Sequence, residues 1–161
     1  MTDRPRTVAV LGIGSPVRGD DGVGRAVAAR VAALGLPNVR VEVGAQPLDL
    51  LEDGVTEDLV VVVDAVRSGA APGTLLVRRV GREALPEWAG AASTHALGLD
   101  AVVELARALG RMPRELVLVG VEAAGFETGA PLTAAVHDAV RVAADAVARL
   151  AGAAPAGPDV V

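Results

Sequence analysis

Four side chains hold most of the chemistry open to this chain: the adjacent acids Asp20 and Asp21, the acid Asp64, and the imidazole of His95. Asp20 and Asp21 follow a glycine-rich turn, Gly12-Ile-Gly14-Ser-Pro-Val-Arg-Gly19, and are followed by Gly22 and Gly24. Asp64 closes the apolar run Leu59-Val-Val-Val-Val, and His95 stands in Ser93-Thr94-His95-Ala96-Leu97-Gly98-Leu99. One acid of the pair, Asp64 and His95 make an O,O,N donor set suited to a borderline divalent ion such as Ni²⁺ or Zn²⁺. Three protein ligands leave positions open for a substrate or water.

Composition removes most other chemistries. The 15 basic residues are all arginine, so lysine Schiff bases and a Walker-type phosphate loop are excluded. Without cysteine there is no thiol nucleophile, disulfide, Cys-ligated zinc or iron–sulfur cluster. Twenty acidic residues against 15 basic ones give a net charge of −5, which argues against nucleic acid or an anionic membrane as partner. The string H-E-x-x-H of zinc peptidases is absent. An activated water, positioned by Asp20 or Asp21, is then the expected nucleophile for a hydrolysis, with glycine-rich backbone N–H groups as oxyanion donors.

Each signal has a plainer reading. Aspartates at a helix start serve as caps. Gly12-x-Gly14 resembles part of a dinucleotide turn, yet Val17 occupies the third glycine's place and two carboxylates there would repel a phosphate. Asp64 has a structural alternative, accepting backbone N–H bonds from Arg67-Ser68-Gly69. Ser93 or Thr94 as N-cap would put His95 in a first turn, where the helix dipole keeps imidazole neutral. The other histidine, His137, sits in an Ala/Val-rich helical segment and reads as structural or surface.

The elements that must position these groups alternate. Strands are expected at Thr7–Ile13, Val39–Val43, Leu59–Asp64, Thr74–Val80 and Glu115–Val121. Helices are expected at Gly22–Leu34, Pro47–Glu52, Leu97–Leu109 and Pro131–Leu150. Continuous apolar strands alternating with amphipathic helices predict a three-layer α/β fold, a twisted and mostly parallel sheet flanked by helices. Ligands in such folds gather beyond the carboxyl ends of the strands. Residues 1–150 read as one domain and the Ala/Pro/Gly stretch 151–161 as a disordered tail. Despite 52% apolar residues and a mean hydropathy of +0.45, the run Leu59–Val63 stops at Asp64, far short of the ~20 residues a spanning helix needs. No signal-peptide h-region precedes the first strand, so a soluble cytoplasmic protein is expected.

At these residues the chain resembles the hydrogenase maturation proteases. Their strand and G-x-G-N-x-L/Y-x-x-D-D/E-G-x-G segment is matched by Gly12 to Gly24, with Ser15 in the asparagine's place and Val17 where leucine or tyrosine is usual. Their apolar strand ending in Asp-Ala is matched by Val60 to Ala65, and their Ser-x-His segment by Ser93 to His95. The last matches are Gly120-Val121-Glu122, Gly129 and Leu132-Thr133-Ala134-Ala135-Val136. The resemblance runs in order from about Val8 to Leu150. It implies a phosphorylase/hydrolase-like fold and metal contacts from Asp21, Asp64 and His95. It also implies removal of a C-terminal extension from a hydrogenase large-subunit precursor, with nickel presented by that precursor as the recognition element. The non-enzymatic alternative is a nickel-checking assembly module that binds the same partner without cutting it.

Overall fold

The computed structural model describes residues 4–52, 56–89 and 98–152. Five strands, β1 (Val8–Ile13), β2 (Val39–Ala45), β3 (Leu59–Val66), β4 (Leu75–Arg79) and β5 (Glu115–Glu122), form one sheet in the order β2-β1-β3-β5-β4. β1 pairs in parallel with β2 and β3, and β3 with β5. β4 runs antiparallel at the edge beside β5. Three α-helices, α1 (Val23–Ala33), α2 (Leu99–Ala108) and α3 (Ala134–Leu150), cover the faces. Short 3₁₀ turns occupy 19–22, 47–51 and 87–89.

The two faces of the central strands divide the core. Val61 and Val63 of β3 point with Val8 and Val10 toward α1 and α3, where Val27, Val31, Val136 and Val147 meet them. Val60 and Val62 point the other way, with Leu11 and Leu118, toward Val102 and Val103 of α2. Both faces of β3 are therefore dry, which explains its unbroken apolar run. The expected three-layer, mostly parallel α/β architecture is the observed one.

Departures from the expected boundaries have local causes. β3 continues past Asp64, because Asp64, Ala65 and Val66 still pair with Gly120, Val121 and Glu122 of β5. β1 stops earlier, its last partner on β3 being Val63 opposite Gly12. Asp64 therefore lies where β3 has lost one neighbour and kept the other. α3 begins at Ala134 rather than Pro131, since Thr133 stays extended (ψ 158°) with its N–H donated to Asp20. α2 begins at Leu99 with Gly98 at its N-cap, and Ser93 and Thr94, the expected caps, lie outside the described residues.

Candidate active site

The strand order reverses between β1, whose next strand in sequence lies on one side, and β3, which lies on the other. A crevice opens at the carboxyl ends of such a pair. The loop after β1 and the end of β3 bring Asp20, Asp21 and Asp64 to that place.

The glycines make the approach possible. A Cβ on Gly24 would lie 2.3 Å from the Ile13 carbonyl oxygen and 2.4 Å from that of Val63, so only glycine lets the first turn of α1 rest on the ends of both strands. Gly14 (φ +124°) adopts a backbone that L side chains avoid, and a Cβ there would meet the Asp21 carbonyl oxygen at 1.8 Å. The loop is thus folded tightly over Asp21.

Neither aspartate of the pair is a helix cap. Arg18 and Gly22 hold the cap positions of the 3₁₀ turn and of α1, with no side-chain cap bond at either. Asp21 is 2% exposed, and its Oδ2 accepts the Ser15 N–H at 3.0 Å. Asp20, with no exposed surface, turns instead toward the loop between β5 and α3. Its Oδ2 accepts from the Ala124 and Gly125 N–H groups at 2.8 and 3.1 Å, and its Oδ1 from the Thr133 N–H at 2.8 Å. The Thr133 hydroxyl lies 3.0 and 2.9 Å from the two oxygens. Burial by itself would raise the Asp20 carboxyl, but the bonds from Thr133, Ala124 and Gly125 outweigh it and hold the group below the ordinary carboxylate range.

Among the described residues, Asp64 has no comparable support: its Oδ1 accepts the N–H of the next residue, Ala65, at 2.8 Å and no other donor. The Arg67–Gly69 loop, the structural alternative for Asp64, is held by another acid. Glu122, 3% exposed at the end of β5, takes the Ser68 N–H on both oxygens at 3.0 Å, the Ser68 hydroxyl at 2.7 Å and the Gly69 N–H at 3.1 Å. Asp64 lines a small cavity with Trp88, Leu99 and Leu118, on the face covered by α2. Burial among these apolar groups, and after it the charge of Asp21, push its carboxyl up to about 8. Two acids close enough to couple, one lacking any cationic partner among the described residues, fit the donor chemistry of a divalent ion.

His95 lies outside the described residues, and among those described no three acids or histidines form a metal cluster. His137 is at the surface, its side chain 76% exposed beside Asp138. The expected oxyanion donors are partly committed: the N–H groups of Ser15, Gly19, Asp20 and Asp21 already bond to Asp21, Ala130, Gly125 and Arg18. Glu122 was legible as an acid closing an apolar strand, the same signal as Asp64, but sequence gave it no role.

A three-layer α/β fold with acids gathered at its switch point defines the class, and comparison with known proteins narrows it. The family model for hydrogenase maturation protease matches residues 26–150, a span holding Asp64 and His95 but beginning after Asp21. The hydrogenase expression/formation protein HupM of Azotobacter chroococcum is 38% identical over 132 residues, covering 79% of this chain and 62% of that protein. HupD of Bradyrhizobium diazoefficiens is 35% identical, covering 86% of this chain and 74% of its own length. The hydrogenase maturating endopeptidase HybD from E. coli superposes with a TM-score of 0.69 at 28% identity, covering 91% of this chain and 94% of that one. The chain belongs to the hydrogenase maturation protease family, endopeptidases that process the C-terminus of a hydrogenase large subunit.

Proposed function

We propose that this protein removes a C-terminal extension from a nickel-loaded hydrogenase large-subunit precursor, with Asp21, Asp64 and His95 contacting the nickel held by that substrate. The observation that carries this reading is the convergence of Asp21 and Asp64 at the β1/β3 switch point, where Asp64 has no cationic partner among the described residues. Two described residues on the cavity beside Asp64, Ala89 and Leu99, bracket the segment that contains His95. Nickel, borne by the substrate, would fix the scissile bond against these groups and polarise its carbonyl.

The chain's own residues do the rest. Asp21, fixed by the Ser15 N–H through one oxygen, offers the other to the substrate-borne ion. Asp64 holds a proton near neutral pH and yields it when a cation arrives, since the positive charge reverses the penalty of burial. Asp20, with both oxygens engaged, positions the loop that carries Asp21 rather than touching substrate.

Residues 1–150 act as one unit, and the protein works in the cytoplasm without nucleic-acid partners. Helices packed on both faces of a single sheet and the net charge of −5 support this. No helix among the described residues is long and apolar enough to cross a membrane. The test is processing of the precursor with and without nickel. Cleavage should follow nickel insertion and stop when a chelator is added before it. Efficient cutting of a nickel-free precursor, or of the extension as a free peptide, would overturn metal-directed recognition.

A further inference from the structure

The arginines of this protein are unevenly engaged. At the end of the sheet away from the site, Asp58 and Glu115, which precede and begin β3 and β5, pair with Arg4 and Arg114 and with Arg6 and Arg79. At the site end, Arg67, three residues beyond Asp64, meets no carboxylate among the described residues. Its guanidinium lies instead over the ring of Phe126, 4.7 Å from the centroid. Phe126, the chain's only phenylalanine, comes from the loop after β5 and packs against the core beneath α1 and α3.

This arrangement fixes a cation without consuming it. The ring holds the guanidinium by its charge and offers no acceptor oxygen, which leaves N–H donors for a planar acceptor. The loop beneath is rigid, because Glu122 clamps Ser68 and Gly69 immediately after Arg67. The Ala123 N–H, bonded to the Val66 carbonyl at 2.9 Å, ties the two loops together before each diverges. Arg67 itself is exposed. Arg67 follows the carboxyl end of β3 three residues after Asp64, and an acidic residue of a docking protein needs such a counter-charge to approach the Asp21 charge at that end of the sheet.

We propose that Arg67, presented on Phe126, is a docking residue that binds a carboxylate of the substrate protein beside the cleavage site. The proposal rests on the peptidase reading of the Asp21–Asp64 site. The carboxylate belongs either to an acidic side chain of the precursor or to the end of its extension. A guanidinium binds both alike, and the contact acts on substrate affinity rather than on bond cleavage.

The experiment is steady-state processing of the nickel-loaded precursor by wild type, Arg67→Lys, Arg67→Gln and Arg67→Glu, at low and high salt. Arg67→Glu should raise KM about tenfold or more at low salt with kcat nearly unchanged, and Arg67→Lys should lose less than Arg67→Gln. The difference between wild type and Arg67→Glu should shrink as salt screens the contact. Two precursor arms separate the sources. Reversing one acidic residue near the cleavage site rescues Arg67→Glu if a side chain is bound. Adding neutral residues past the end of the extension raises the wild-type KM if the terminal carboxylate is bound. An unchanged KM and salt dependence in Arg67→Glu that melts like wild type, with neither precursor change having an effect, would overturn the docking role. Asp21→Asn in the same assay keeps the two readings apart. If it is inactive while Arg67→Glu is normal, docking alone fails, whereas normal processing by Asp21→Asn removes the site reading itself.

Discussion

Asp21 and Asp64 are electrostatically coupled across the ends of β1 and β3, and the Asp21 charge adds to burial in raising the Asp64 carboxyl to about 8. The relationship makes the charge on Asp64 conditional on its surroundings. Replacing Asp21 by asparagine removes the smaller of the two causes. The Asp64 titration, followed by carboxyl carbon NMR, should then move down while staying above the ordinary aspartate range, because burial persists. A midpoint that does not move would show that the two groups are uncoupled.

Asp64 also sets a pH dependence of stability. Its folded carboxyl lies well above the ordinary aspartate range, so the folded state keeps a proton that the unfolded chain releases. Stability is therefore lost as pH rises from about 4 to about 8, and below that window Asp64 costs nothing. Asp64→Asn, which never charges, should melt several degrees above wild type near pH 8, a gain on the order of 1–3 kcal/mol. The two curves should converge near pH 4, and the variant should not process precursor. Equal melting temperatures at pH 8 would contradict the raised value.

Asp20 behaves in the opposite sense. Its folded carboxyl lies below the ordinary range, so its contribution is present above the unfolded value and is lost as pH falls through the folded one. Asp20→Asn places an amide NH₂ against either the Ala124 and Gly125 N–H groups or the Thr133 N–H, and should cost roughly 2–4 kcal/mol. Thr133→Val, which removes only the hydroxyl donor, should cost about 1–2 kcal/mol, and Thr133→Ser close to nothing. At a temperature where Asp20→Asn remains folded, processing should persist at a measurable rate. Complete loss there would make Asp20 part of the chemistry.

The two histidines should separate cleanly. His137→Ala, at the surface beside Asp138, should change melting and processing little. His95→Ala should abolish or severely reduce processing while circular dichroism melts stay near wild type. Normal processing by folded His95→Ala would remove the imidazole from the set that contacts nickel.

Several of these properties were determined by the sequence alone. The unbroken Leu59–Val63 run demanded a strand dry on both faces, and alternation with amphipathic helices left a mostly parallel α/β sandwich as the consistent architecture. Hydrophobic period and strand-end position also placed Asp21 and Asp64 at one end of the sheet, because a parallel sheet delivers every strand's carboxyl end to the same edge. Tertiary structure decided what each acid does there. Asp20 and Asp21 are adjacent in sequence and equal in type, yet one points at Thr133, 113 residues away, and the other at Ser15. Asp64 and Glu122 both close apolar strands, but Glu122 takes the loop bonds open to either and leaves Asp64 with little support. Such assignments depend on which backbone donors arrive within 3 Å of which oxygen. Donor positions are set by loops far apart in the chain, so no local pattern of residues encodes them.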